Sequence, residues 1–587
     1  MKMMKRISAF LLALLFVLLA SSCNESKTPQ ENTTQTEEST EPESSAPSVT
    51  DSVKIVANGK PAVTVIRGDN STEMETQAMT SIAAAIEKAC GQAPDIQTDF
   101  YAKAKGISTE YIILVGNTEF EESTNAASGM EYGDYRVSIC GNAVVVSAFT
   151  NEGFVRASES LIGMIESKAK TDKTDITLKK DDEKSGLALR NGICSVPTLK
   201  GAFPIVSEIS DLSAYQFLYT KLTDELVETY QNDLIADGFL KLSEREVAHY
   251  RYFTYRRESS KSAITLQYDY TDHSLRVLLG NTDNQYVQDE NRYTVTTTPQ
   301  LMMMGDTFDS QNNLSGLECM MIRLSDGRFI MIDGGVATKG FADKIYNTMV
   351  EASGGKTNVT VAAWFFSHSH NDHIGGFNAI CQYYSSKVNI EAFYYNFTQY
   401  DIAKTIDSGA ANDAQKTYNN IVKFYPNANI YKCRMGEVYH IADAKAEVWY
   451  TADEYLTGTR SLKNTKNFNE TSLIFSVDIA GQRIMFLGDA QNINNNETAN
   501  RFGSLLKSDI VQVAHHGGVG GTASIYQAIN AQVALITTDD SRVESFMSTS
   551  FNQAMLNNPN MKEWFNVHNR VYVWDLPYTP TGTGLQP

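Results

Sequence analysis

Apolar and polar positions change period several times along the chain, and each change marks an element. Residues 62–66 form a short β run. Residues 72–90 place Met79, Ile82 and Ile86 on one helical face behind a Thr72/Glu75 capping box, with Gly91 as the stop. Residues 111–115 read as a buried strand, 135–139 and 143–148 as a hairpin about Gly141-Asn142, and 152–167 as a second helix. Strand and helix therefore alternate over 53–188, which predicts a small α/β unit. Residues 224–236 stack Leu226, Tyr230 and Leu234 at four-residue spacing before Gly238, and β runs follow near 249–255, 263–268 and 274–279. This pattern predicts a small α+β unit over 189–292.

The block 293–587 has a longer order. Two β runs, 317–324 and 329–332, flank the hairpin signal Ser325-Asp326-Gly327-Arg328, and the second ends in Asp333-Gly334-Gly335. A helix at 340–351, a strand at 360–366 and a helix at 374–384 follow. Further on, Asn469-Glu470-Thr471-Ser472-Leu473 opens a strand that runs to 479. A second run at 483–487 ends in Gly488-Asp489, and a helix near 500–506 and a strand at 509–514 lead to His515-His516-Gly517-Gly518.

Between the strand at 360–366 and its helix lies Ser367-His368-Ser369-His370-Asn371-Asp372-His373-Ile374-Gly375-Gly376. Three imidazoles and one carboxylate fall within six positions of a chain that has 9 histidines in 587 residues. Neutral imidazole nitrogens and an Asp oxygen are the donors that hold Zn²⁺ and similar ions, and a solvated loop needs no such clustering. The motif therefore predicts a metal site.

The pattern His-x-His-x-Asp-His followed by a glycine pair resembles the metallo-β-lactamase superfamily of hydrolases, and the order of runs in 293–587 agrees. The resemblance implies an α/β chain whose C-terminal αββα sandwich follows two small accessory domains, α/β and α+β. It implies one or two divalent metal ions, zinc being the expected one, at an edge of the sheets. His368 and His370 would serve the first metal, and Asp372 and His373 the second. Asp489 would bridge them and Asp333 would orient the metal loop. His515 is favoured as the residue that closes the second metal, with His516 in the wall or as a proton donor. The superfamily's third histidine for the first metal has one candidate between 374 and 488, His440. Without it the first metal is held by fewer protein ligands plus water, or the site has one firmly bound ion. With the Asn-Glu-Thr-Ser-Leu and His-His-Gly segments, this departure resembles the extracellular hydrolase domain of bacterial competence DNA-uptake channels and its stand-alone relatives, a branch associated with phosphodiester cleavage.

The chain begins with a basic Met1-Lys2-Met3-Met4-Lys5-Arg6 and an apolar 7–20, then Leu19-Ala20-Ser21-Ser22-Cys23. This reads as a signal peptide over 1–22 that resembles a lipoprotein cleavage box, with Cys23 as the lipidated terminus on the outer face of the cell membrane. Residues 23–52 are rich in Ser, Thr, Glu and Pro, which predicts a flexible acidic tether. The net charge of −19 argues against long nucleic acid as a partner. The 7 cysteines show no framework spacing. Residues 53–188 also resemble the small α/β accessory domain at the N-terminus of several carbohydrate-active enzymes, and Arg251, Tyr252, Tyr255, Arg256 and Arg257 are a candidate surface for an anionic or sugar ligand.

The expected function is an extracellular, membrane-anchored metal-dependent hydrolase. Asp372 and Asp489 are its catalytic residues, holding and orienting the attacking water. His516 and His568 are candidate proton donors. Phosphodiesters come first as substrate, either small molecules or pieces of polymers such as nucleic acid or wall teichoic chains. Esters, lactones or β-lactams are the alternative bond classes, and a non-catalytic binding protein with a degenerate metal site is the other reading. No protein partner is evident.

Overall fold

The computed structural model describes residues 52–188, 196–200, 202, 204–208, 215–288, 291–305, 317–455, 467–567 and 570–584. The expected signal peptide, Cys23, the tether up to 51 and His568 lie outside them. No helix among the described residues is long and apolar enough to cross a membrane.

The first region builds a six-stranded sheet in the order Asp95–Thr98, Val63–Arg67, Tyr111–Val115, Ala143–Ala148, Asp134–Cys140, Lys184–Leu187. A three-stranded sheet with Ser52–Ala57 at its centre accompanies it. Helices Glu73–Cys90 and Asn151–Ala169 pack on the larger sheet, and the first carries both halves of the Thr72/Glu75 capping box.

The second region is an antiparallel six-stranded sheet, ordered Ile205–Glu208, Tyr215–Tyr219, Ser274–Asn281, Ser262–Asp269, Tyr250–Arg257, Leu240–Val247. Period-two alternation splits the aromatic side chains of Tyr250–Arg257 between its faces. Phe253 and Tyr255 pack with Tyr230 and Leu234 of the helix Asp224–Ala236, whereas Tyr250 and Tyr252 join the core of the following region. The Arg/Tyr cluster is thereby divided: Tyr252 and Tyr255 are buried on opposite faces, and Arg251, Arg256 and Arg257 pair with Glu246, Glu258 and Asp237.

The contact between this sheet and the next region is polar as well as aromatic. Glu454, with no exposed side-chain surface, pairs with Arg276 of the sheet and with Arg501 at 2.7 Å. Arg245 pairs with Glu447, and the Tyr252 ring fills the place where a side chain at Gly436 would stand.

The last region is the αββα sandwich. An eight-stranded sheet runs Asn429–Lys432, Ala392–Tyr395, Val359–Phe365, Phe329–Asp333, Cys319–Arg323, Gln300–Met304, Val571–Asp575, with Val388–Ile390 beside Val359–Phe365. A seven-stranded sheet runs Val438–Ile441, Ala444–Tyr450, Ile474–Ile479, Gln482–Phe486, Ile510–Gln512, Val533–Ile536, Glu563–Asn566. Alternate residues decide the layers. Met303, Met320, Ile330 and Ile332 meet Val477 and Ile484 between the sheets, while Met302, Met321 and Met331 face the helices Lys339–Ala352 and Asn371–Tyr384 outside. The other sheet is covered by Asn492–Phe502, Ala523–Ile529, Asp540–Met547 and Ser550–Leu556. Among the described residues the cysteines are free, with Cys319, Cys381 and Cys433 buried as small apolar side chains.

Candidate metal centre

The strand Phe329–Asp333 ends at Asp333, which takes a left-handed φ of 53° and is fully buried. Its carboxylate accepts from Ser367 N at 2.8 Å, Ser367 Oγ at 2.7 Å and His373 Nδ1 at 2.7 Å. The turn after it tolerates only glycine on its inner side. A Cβ at Gly376 would stand 1.7 Å from Gly334 O, and one at Gly334 would stand 2.9 Å from Phe377 N. This close approach lets the histidine loop and the helix Asn371–Tyr384 sit directly on the strand end.

Two groups of donors result: His368, His370 and Asp489, and Asp372, His373 and His516, with the donor atoms of each group within 4.8 Å of one another. Asp489 joins the groups through its two oxygens. Oδ1 is 3.1 Å from His373 Nε2 and 3.5 Å from His516 Nε2, while Oδ2 is 3.8 Å from His368 Nε2. The tip that carries Asp489 is held by Gln512, whose Oε1 accepts from Leu487 N at 2.7 Å and Gly488 N at 2.8 Å.

The histidines have outward partners that leave one nitrogen of each for the centre. His373 uses Nδ1 on Asp333, and His516 uses Nδ1 on Thr537 Oγ1 at 2.9 Å. Thr537 in turn donates to the buried Glu318 at 2.8 Å. His370 turns Nε2 to Asp407 Oδ2 at 3.4 Å, so that Nδ1 lies 2.9 Å from His368 Nε2. Such outer partners fix tautomer and ring orientation in metal sites.

A metal fits these residues. His373 Nε2, His516 Nε2 and Asp489 Oδ1 are buried, converge on one point and make no hydrogen bond. Buried polar atoms without partners are costly, and a divalent cation would satisfy all three together.

Charge is unevenly shared among these groups. Burial, with help from His373 and His370, pushes the His368 imidazole well below its usual range, which keeps its lone pair available. Burial opposes charge at His373 and at Asp489, but their mutual attraction, with Asp333 on the first and His516 on the second, holds His373 well above and Asp489 well below the usual ranges. Burial raises the Glu318 carboxyl to about 8.

The structure brings together His368, His370, Asp372, His373 and Asp489. It splits the histidine pair. His515 and His516 both take left-handed backbone, φ 52° and 57°, and their side chains diverge. His516 joins Asp372 and His373, while His515 turns to the other side of Asp489, its Nε2 3.7 Å from Oδ2. His440 is exposed on the edge strand Val438–Ile441 and belongs to neither group.

Sequence reasoning passed over Glu318, Asp407, Gln512 and Thr537. Glu318 had a signal: it is the one charge within the apolar run Leu317 to Ile322. Asp407 caps the helix Ser408–Phe424 and reaches His370 through the chain path alone.

The family model described as "Metallo-beta-lactamase superfamily" matches residues 318–531. Solved structures similar to this chain include the metallo-beta-lactamase fold protein YhfI from Bacillus subtilis, 11% identical over 47% of this chain and 99% of that one, TM-score 0.29. The diiron β-hydroxylase CmlA from Streptomyces venezuelae is 11% identical over 48% of this chain and 55% of that one, TM-score 0.30. Unliganded yeast PDE1 is 10% identical over 47% and 99%, TM-score 0.27. No curated protein matches the chain in sequence. With two donor groups joined through Asp489 on an αββα sandwich, the chain carries a metallo-beta-lactamase superfamily domain over residues 318–531.

Proposed function

We propose that this protein is a metal-dependent hydrolase of phosphodiesters that works outside the cell, held to the membrane by lipid on Cys23. The observation that carries the chemistry is the division of Asp489, one oxygen toward His373 and His516 and the other toward His368. A carboxylate so placed suits a pair of ions, and a pair of ions suits the two charged oxygens of phosphoryl transfer better than the single carbonyl oxygen of an ester.

His368, His370 and Asp489 would hold one divalent ion, and Asp372, His373, His516 and Asp489 the other. When bound, such ions lower the pKa of water to about 7 and polarise a phosphoryl oxygen. Asp372 has 26% of its side chain exposed and stands at the mouth, where it can orient water and accept its proton. Phe468, with its ring 5.4 Å from that of His370, forms an apolar wall that limits water on the other side. Membrane attachment rests on the Leu19-Ala20-Ser21-Ser22-Cys23 segment after an apolar run, and the acidic tether that follows would hold the folded part away from the lipid.

Metal content together with turnover of bis-p-nitrophenyl phosphate tests the reading. Bound metal, with activity that is abolished in Asp489→Asn, supports it. Turnover confined to esters or lactams would move the activity to those bonds, and a purified protein that takes up no metal and stays inert would overturn it. Loss of lipid labelling in Cys23→Ala checks the anchor.

A further inference from the structure

We propose that the side-chain amide oxygen of Asn469 completes the donor set of His368, His370 and Asp489, in place of a third imidazole, and that His515 is the positioning residue that aims it. The inference rests on the metal-centre reading above.

A chain of hydrogen bonds decides which way the amide points. His515 Nδ1 contacts the carbonyl oxygen of Val519, which can only accept, so Nδ1 is a donor. On the other side of the ring Asn469 Nδ2 stands 3.3 Å from Nε2, so the amide oxygen points away from the imidazole and is left over. Gln491 Nε2 also lies 3.3 Å from His515 Nδ1, an approach of two donors that forms no hydrogen bond while Nδ1 donates to Val519.

Asn469 is 7% exposed, and its Oδ1 is buried without a hydrogen-bond partner among the described residues. An unpaired buried amide oxygen is destabilising unless something accepts its lone pair. Its surroundings supply the something. His515 Nε2 is 3.7 Å from Asp489 Oδ2, the oxygen that faces His368, and the ring of the preceding Phe468 packs 5.4 Å from His370. The turn Phe468–Thr471 is pinned beside the histidine loop by Leu473 N donating to Ser367 O at 2.9 Å.

Two imidazoles, a carboxylate oxygen and an amide oxygen make a harder donor set than three imidazoles. Carbonyl and carboxylate oxygens suit Mn²⁺ and Mg²⁺, while imidazole suits Zn²⁺. Asn469 would therefore set which ion the first position prefers.

The test is titration of metal-free full-length protein with Mn²⁺ and Zn²⁺ by calorimetry, with bound metal counted by mass spectrometry. The wild type is expected to take two ions. Asn469→Leu is expected to lose one and keep the other at wild-type affinity, the retained ion proving the fold. His515→Gln should weaken the same ion about 10–100-fold, the usual cost of removing an outer partner. Asn469→His should keep two ions and shift the first toward Zn²⁺ over Mn²⁺ at least tenfold. Asn469→Asp, which keeps an oxygen donor, should also hold two, and a first ion lost in this variant would overturn the assignment. So would an Asn469→Leu protein that binds metal as the wild type does. A wild type that binds no ion at all would instead overturn the metal-centre reading beneath it.

Discussion

Asp333 accepts from His373 Nδ1 at 2.7 Å, and this contact, with Ser367 Oγ 3.2 Å from the same nitrogen, turns His373 Nε2 to within 3.1 Å of Asp489. The Asp at the end of one strand thus aims a histidine at a carboxylate on the other sheet. Asp333→Ala is expected to lower the affinity for the ion at His373 about 10–100-fold, as measured by competition with a chromogenic chelator. Unchanged affinity in a folded variant would refute the orienting role.

His516 and His440 should respond differently to the same substitution. His516→Ala removes a buried donor of the second group and should cost one bound ion. His440→Ala alters an exposed edge-strand side chain and should leave metal content as in the wild type. Elemental analysis of the two purified variants separates them, and a metal deficit in His440→Ala would contradict the geometry.

Gly376→Ala places a methyl 1.7 Å from Gly334 O, which is backbone and cannot rotate away. Overpacking of this kind costs about 1–3 kcal/mol or more. The variant should unfold at lower denaturant than the wild type, and metal should restore only part of the loss. A denaturation midpoint equal to that of the wild type would show that the loop relaxes freely.

Glu454→Ala leaves Arg276 and Arg501 without their shared carboxylate at a place where both are largely buried. Removing one partner of a buried ion pair costs about 3–5 kcal/mol. Chemical denaturation should show that loss, and limited proteolysis should release the antiparallel sheet sooner. Stability within about 0.5 kcal/mol of wild type, the range of ordinary surface substitutions, would place the ion pair outside the forces that dock the sheet.

The sandwich was legible because its elements are long and regular. The β runs around Ser325-Asp326-Gly327-Arg328, the strand before His368 and the helix after it stand where local period and turn residues put them. The helix expected at 500–506 instead begins at Asn492. Its asparagine-rich start has poor helix propensity and is held from afar, by Glu470 accepting from Ile493 N at 3.0 Å and Asn494 N at 2.9 Å. Asn469, expected to open a strand, lies in a single helical turn that is set by its tertiary contacts. The choice between His515 and His516 was hidden for a related reason: nothing in two adjacent histidines announces left-handed backbone at both. The face of the antiparallel sheet that carries Tyr250 and Tyr252 read as part of a candidate ligand surface because its cover, Met435, Trp449 and Phe502 among it, comes from far later in the chain.

The Tyr252 ring standing where Gly436 has no side chain also bears on how this chain can be inherited. A gene fragment cut between the two regions would encode a sandwich with an empty notch, in which Glu447 loses Arg245 and Glu454 keeps Arg501 but loses Arg276. A descendant that discards the antiparallel sheet should therefore change the carboxylates at 447 and 454 while keeping glycine at position 436, whose left-handed φ of 85° requires it with or without Tyr252, a pattern that can be looked for in any sequence where the sandwich occurs alone.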